Sequence, residues 1–288
     1  MKITNNANLP ESLYRAICNQ TYEPGVDTYA SVTSLLKPVR MFWLQKRHAG
    51  EIEEDASDMI YTLMGSAIHY VMEMANKDGA AMTEKRLSFK MIGKKISGAI
   101  DHYENGVIQD YKFTSVWSWI YKSSLLDWER QLNMYAYLCY QNGLPVEKLQ
   151  IVCIFRDWSK SKAKFDNQYP NQVEVIDIPL WNQFNTELYI SSRLLDILTS
   201  EDTPDDDLPL CTPEERWQNP TKFAVKKPTA KRAVKLFDSR EDAEAFIGED
   251  DKLFVEERPS EPTRCLNYCS AAGFCNWLKK WKEENNAH

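Results

Sequence analysis

The chain is laid out as apolar runs separated by polar punctuation. Residues 84–92 (EKRLSFKMI) read as a strand, and two further apolar-rich runs flank Asn105-Gly106. That dipeptide favours a two-residue turn with positive φ, so residues 96–115 predict a hairpin. With the loop fixed there, Glu104 faces Val107, Tyr103 faces Ile108 and Asp101 faces Asp110. Residues 149–157 and 173–178 predict more strands of the same sheet. Helical spacing runs through 58–76, 127–140 and 181–199. In the first of these helices Ile60, Met64, Ile68, Val71 and Met72 are the expected core, and Gly65 predicts close approach to the sheet. In the last, Phe184, Leu188, Leu195 and Leu198 mark the expected packing side. Upstream, residues 1–30 suggest an extended arm or a short helix around 13–18. A short helix, a break at Pro38 and a second helix into Arg47 follow. The acidic stretch 51–58 reads as a solvated lead-in and 202–209 as a polar linker. Near the C-terminus a strand at 232–237, a helix capped by Ser239 and a strand at 253–257 predict a small β-α-β insert.

Composition narrows the picture. At 288 residues, one large domain or a domain with an insert is expected, and 43% apolar residues with nine Trp fill a sizeable core. The division that follows is an arm (1–30), an α/β core (31–200) and a basic, cysteine-bearing C-terminal part (201–288). The formal charge of −7 argues against a nonspecific nucleic-acid coat, although much of the acid is local, at 51–58, 201–207 and 241–251. The start, MKITNNANLPESL, lacks an apolar signal core, and no run of 18 apolar residues occurs. A soluble, cytoplasmic protein without a membrane partner is expected, with its seven Cys reduced or metal-bound.

Chemistry concentrates on the hairpin. Asp101 and Asp110 are expected about 5 Å apart at Cβ and repel unless a proton or cation lies between them. Removing Asp110 is then expected to leave the metal-free fold at least as stable. Lys112 shares that face, opposite Ala99. Hard oxygen ligands beside an ammonium suit Mg²⁺ or Mn²⁺ and an activated water. His69 and Glu73 fall on one helix face with Gly65, and Gln131 and Tyr135 lie one turn apart. A lone His of this kind is more often structural than a ligand. Lys160, Lys162 and Lys164 sit in a predicted loop. Lys226, Lys227, Lys231 and Arg232 belong to the densest basic run. Cys211 stands upstream of Cys265, Cys269 and Cys275, a C-x3-C-x5-C pattern; Cys139 and Cys153 read as core thiols.

Gly98-Ala99-Ile100-Asp101 followed by Asp110-Tyr111-Lys112 resembles the PD-(D/E)XK nuclease superfamily in its RecB-like branch. Gly65-Ser66-Ala67-Ile68-His69 is similar to the branch's G-x-x-x-H helix, and Gln131 with Tyr135 to its Q-x-x-x-Y motif, all in the family's order. The resemblance implies a restriction-endonuclease-like core, a mixed central sheet flanked by helices, and metal-dependent hydrolysis of DNA. It implies His69, Asp101, Asp110 and the Tyr111 carbonyl as ligands. Lys112 would orient or deprotonate water or stabilise developing charge, and Gln131 and Tyr135 would support the site. Glu84 and Glu73 stand one layer out, with Glu84 holding a water or second metal, or serving as an edge-strand charge. Phage-type exonucleases of this group chop DNA ends to single strands for recombination, which brings in a single-strand annealing protein as partner and the basic residues as DNA contacts. Related iron–sulfur nucleases, including the CRISPR-associated type, tie down the C-terminus with a 4Fe–4S cluster. Their downstream spacing is C-x2-C-x5-C, and Lys37-Pro38 occupies the place of their upstream Cys, so Cys211 would be the fourth ligand. A 4Fe–4S cluster, zinc and no metal all stay open. The rival class is a non-catalytic DNA- or protein-binding module on the same fold.

Overall fold

The computed structural model describes residues 1–19, 27–77, 79, 81–248 and 252–285. Part of the expected arm (20–26) and the end of the last acidic run (249–251) lie outside them. The chain forms two compact units, Met1–Lys37 with Ala49–Asp202 and Pro38–His48 with Thr203–His288. Residues 38–48, expected in the core, therefore belong with the C-terminal unit.

The first unit begins with β1 (Lys2–Thr4), α1 (Glu11–Cys18), β2 (Ala30–Ser31) and α2 (Val32–Leu35). After α3 (Val39–Arg47), which belongs to the second unit, it resumes with β3 (Glu53–Asp55) and a 3-10 turn (Ala56–Met59). Then come α4 (Ile60–Asn76), β4 (Met82–Met91), β5 (Lys94–Glu104), β6 (Val107–Thr114), α5 (Val116–Ile120) and α6 (Leu125–Gln141). β7 (Lys148–Phe155), α7 (Lys160–Phe165), β8 (Val173–Ile178) and α8 (Gln183–Thr199) complete it. Among the described residues, β4, β5 and β6 form an antiparallel meander, and β6 runs parallel to β7. A parallel neighbour requires a crossover, which α5 and α6 provide. β8 closes one side of the sheet antiparallel to β7, and β2 joins β5 in parallel. Ile96, Ile100, Ile108, Leu149 and Ile151 of the sheet are fully buried, as are Leu132, Met134 and Leu138 of α6.

The hairpin turns where expected, with Asn105 at φ +47° and Gly106 at +81°. Its ladder holds the predicted register at Glu104↔Val107, Tyr103↔Ile108 and His102↔Gln109, and stops there. The backbone pairs Asp101–Asp110 and Ala99–Lys112 do not form. β5 gives the earlier part of that edge to β2, at Ile96 and Ser97. The Tyr111 amide instead donates to Asp101 Oδ2 at 2.8 Å.

Several expectations change. α4 has no fully buried residue: Met64 and Val71 are exposed, and Ile60, Ile68 and Met72 are half-buried. Gly65 faces open space, whereas a Cβ on Gly98 would lie 2.8 Å from Tyr135 Cε1 and 2.9 Å from Leu138 Cδ1. The glycine that admits a helix to the sheet is thus in β5, and the helix admitted is α6. α8 buries Thr186, Ile190, Leu194 and Ile197, not the face with Phe184, Leu188 and Leu195, which is exposed. The acidic lead-in is partly ordered, as β3 pairs with β1 beside buried Ile52.

The second unit holds α3, a 3-10 turn (Asp205–Asp207), β9 (Lys222–Lys226), β10 (Lys235–Phe237), α9 (Arg240–Ile247), β11 (Phe254–Arg258), α10 (Thr263–Asn267) and α11 (Asn276–Glu284). Its sheet has the order β10-β9-β11, all antiparallel. The insert is therefore β-β-α-β. Its central strand went unseen because lysines bracket the Phe223-Ala224-Val225 centre, in which Ala224 and Val225 are fully buried. The expected linker is fixed in place. Buried Arg40 donates to the carbonyls of Asp206, Leu208 and Pro209 and, at 2.8 Å, to Asn276 Oδ1. Asp205 accepts from Arg47 Nη1 at 2.6 Å and lies 2.7 Å from His48 Nε2.

Candidate active site

His69 of α4, Glu84 of β4 and Asp101 of β5 bring one ligand atom each within 4.8 Å of one another. His69 Nδ1 is 2.8 Å from Glu84 Oε1 and 3.6 Å from Asp101 Oδ1. Glu84 reaches this position by leaving the strand conformation, at φ +47°. The β4–β5 register runs from Thr83↔His102 to Lys85↔Ile100 with the Glu84–Asp101 pair missing between them. A left-handed Glu costs on the order of 1 kcal/mol or more and persists only where its surroundings hold it. Glu84 therefore belongs with His69 and Asp101, not one layer out. Glu73, one turn beyond His69, lines the same cleft of about 1010 Å³, as does Arg86. Arg86 went unnoticed in the sequence; its one signal was sharing the strand face of Glu84 two residues away.

A second cluster lies beneath. Asp110 is 2% exposed, with Oδ2 2.6 Å from Lys112 Nζ. Its Oδ1 accepts from Gln131 Nε2 at 3.2 Å, and the same nitrogen lies 3.0 Å from the Tyr135 hydroxyl. Lys112 Nζ donates to Gln131 Oε1 at 3.2 Å. The Gln131 amide thus presents its oxygen to the ammonium and its nitrogen to the carboxylate. β6 supplies the ion pair through its two-residue period, and α6 supplies Gln131 and Tyr135 one turn apart. Gln131 and Tyr135 are buried.

The charges are under stress. Burial, then the neighbouring Asp110 charge, pushes the Asp101 carboxyl up to about 8, although His69 and Lys112 pull the other way. The hydrogen bond to Glu84 raises the His69 pKa against the effect of burial. Burial lowers the Lys112 pKa, but Asp110 outweighs it and the ammonium is held above its usual value. The Asp101 carboxyl and the His69 imidazole, which hold their protons this strongly, form with Glu84 a donor set from which a divalent cation would displace protons. Oxygen donors with one imidazole suit Mn²⁺ or Mg²⁺.

The basic residues divide. Lys160, Lys162 and Lys164 are exposed on α7, a short helix where a loop was expected. In the second unit Lys226 is paired with Glu256 at 2.7 Å, which removes it as a free cation, whereas Lys227, Lys231 and Arg232 are exposed. Cys139 and Cys153 are buried and held up to about 12, inert core thiols. Burial, then Glu215 and the thiols of Cys265, Cys275 and Cys269, push Cys211 up to about 12, and burial with Cys269 and Cys275 pushes Cys265 to about 11. Arg216 donates to the Cys211 carbonyl, and with Arg264 it opposes the rise at Cys265. Among the described residues no three of these sulfurs lie within 4.8 Å of one another.

No family model matches the sequence, and no curated protein matches it. Among solved structures the chain is similar to SSO0001, with a TM-score of 0.46 at 19% identity, covering 67% of this chain and 85% of that one. It is also similar to a protein from Eubacterium rectale named "Putative exonuclease", with a TM-score of 0.41 at 13% identity, covering 67% and 86%. Among the described residues no helix is long and apolar enough to cross a membrane.

Proposed function

We propose that the chain is a divalent-metal-dependent DNA nuclease of the PD-(D/E)XK superfamily, in its RecB-like branch. The observation that carries this reading is the gathering of His69, Glu84 and Asp101 with the Asp110–Lys112 pair. They come from α4, β4, β5 and β6 in succession, with Gln131 and Tyr135 from α6 behind them. His69, Glu84 and Asp101 would hold Mg²⁺ or Mn²⁺. Asp110 engages Lys112 and Gln131 and keeps acceptor capacity for one further partner, so it and the Tyr111 carbonyl complete the proposed ligand set. When bound, the ion supplies positive charge and an acidified water. The chain's own residues do the remaining work. Lys112, held protonated by Asp110, offers an ammonium to charge developing on a phosphate oxygen, and of its three expected roles this one fits its raised pKa. Gln131 fixes the ammonium in place, and the Tyr111 amide fixes Asp101. The preference for DNA ends, single-stranded products, an annealing partner and action in a host cytoplasm follow from the motif resemblance.

In the second unit, Cys211, Cys265, Cys269 and Cys275 are proposed to hold a 4Fe–4S cluster. Arg216 and Arg264 beside Cys265 suit an anionic cluster, and structural zinc is the alternative occupant of the same thiols. Lys227, Lys231 and Arg232 are the exposed cations there that would meet phosphates.

The test is cleavage of an end-labelled duplex. Activity in Mg²⁺ or Mn²⁺, blocked by EDTA and lost in Asp101→Asn and Lys112→Ala, is the expected result. Wild-type protein that binds the DNA but leaves it intact in both metals makes the chain a binding module and overturns the proposal. Anaerobically purified protein should be brown; a colourless, zinc-bearing protein removes the cluster alone.

A further inference from the structure

α5 begins two residues beyond Thr114, close behind Lys112, and is clamped to the end of β7. Ser115 Oγ donates to Asp157 Oδ2 at 2.6 Å, the Val116 amide donates to Asp157 Oδ1 at 2.7 Å, and the Arg156 amide donates to the Thr114 carbonyl at 3.0 Å. Val116 is buried and Trp119 packs edge-on to Phe155, 6.1 Å between centroids. With its base so anchored, the helix turns its other two rings outward. Trp117 is 43% exposed and Tyr121 72%, their centroids 5.8 Å apart and their planes 19° from parallel. Lys162 Nζ of α7 lies 5.0 Å from the Trp117 centroid, and Phe165, at the end of α7, is 89% exposed. Towards the cleft, the Arg156 guanidinium lies 4.1 Å from the centroid of exposed Tyr61, whose neighbour Thr62 lines the cleft.

We infer that the outward Trp117–Tyr121 pair, flanked by Lys162 and Arg156, is a stacking track for a single DNA strand leaving the cleft. This rests on the nuclease reading and assigns a route to the strand that the reaction spares or releases. Flat rings on a rigid base, with cations beside them, meet both needs of an unpaired strand: faces for its bases and positive charge for its phosphates. A duplex hides its base faces and has no use for the pair. Charge favours the same occupant. In a chain of net charge −7 this face carries Lys162 and Arg156 beside exposed rings, and the Asp157 carboxylate is taken up by Ser115 and Val116. From Thr62 through Tyr61 and Arg156 to Thr114 and α5, the track continues from the wall of the cleft.

The test uses the full chain in EDTA, with a fluorescently labelled single strand of about 16 nucleotides and a blunt duplex as probes. Trp117→Ala with Tyr121→Ala is expected to weaken single-strand binding about tenfold or more while duplex affinity changes little. Trp117→Phe should restore most of the loss. Lys162→Ala with Arg156→Ala should lower the slope of log affinity against log salt by about 1. Tyr121→Ser alone, at a site outside the core, guards against misfolding and should weaken single-strand binding in the same direction. Single-strand affinity unchanged in Tyr121→Ser and in the double variant overturns the inference, even if wild type cleaves DNA. Selective loss in a protein that never cleaves leaves the track standing and removes the nuclease reading alone.

Discussion

Asp101 carries a carboxyl that burial and the Asp110 charge hold up to about 8, against 3.8 for an ordinary Asp. Between about pH 4 and 8 the folded state keeps a proton that the unfolded chain has lost, so this residue lowers stability as pH rises through that window, most fully above 8. In EDTA, Asp101→Asn should therefore melt at least about 2 °C above wild type at pH 9, and the gap should close near pH 4. For the same reason Mn²⁺ affinity should rise with pH up to about 8 and then level off, with proton release visible by calorimetry in buffers of different ionisation enthalpy. The sequence assigned the relief of repulsion to Asp110, but Asp110 has its counter-ion 2.6 Å away. Removing that partner by Lys112→Ala strands a buried carboxylate and should cost about 3–5 kcal/mol in urea unfolding, much of it regained when Asp110→Asn is added. Asp101, Asp110 and Lys112 were legible because an Asn-Gly turn and a two-residue period decide which side chains share a face. The place of Glu84 was not, because its positive φ breaks that period and nothing local announces it.

At the scale of elements, the longer strands of the large sheet and the turn end of the hairpin register could be read from pattern, and β9 and the helix faces could not. α8 carries apolar residues on two sides, and the side buried is set by what packs on it, which periodicity alone does not contain. The two glycines make the same point and can be tested together. Gly98→Ala drives a methyl into Tyr135 and Leu138 and should cost about 1–3 kcal/mol, with cleavage falling as Gln131 is displaced along with α6. Gly65→Ala, in open space inside a helix, should instead stabilise by about 1 kcal/mol. Thermal melts of the two variants should move in opposite directions; two losses would mean that α4 packs more closely than its exposure indicates.

At the scale of the molecule, the two units draw on different chemistry, carboxylates with imidazole in one and thiols in the other. Calorimetry should then resolve two transitions. Adding Mn²⁺ should raise the one belonging to the first unit, and Cys269→Ser should lower the other while leaving the Mn²⁺-sensitive one in place. A single transition shifted by both changes counts against this separation. The division also sets a schedule for synthesis. Arg40 of α3 finds Asn276 across 236 positions of chain. At cellular elongation rates the ribosome needs on the order of ten to fifty seconds to cover that distance. Throughout that interval α3, with Phe42, Trp43 and Leu44 buried in the finished protein, has emerged without the rest of its own unit. Residues 49–202, the bulk of the first unit, are made in the meantime, so a chain terminated before residue 203 carries α3 without the unit it belongs to.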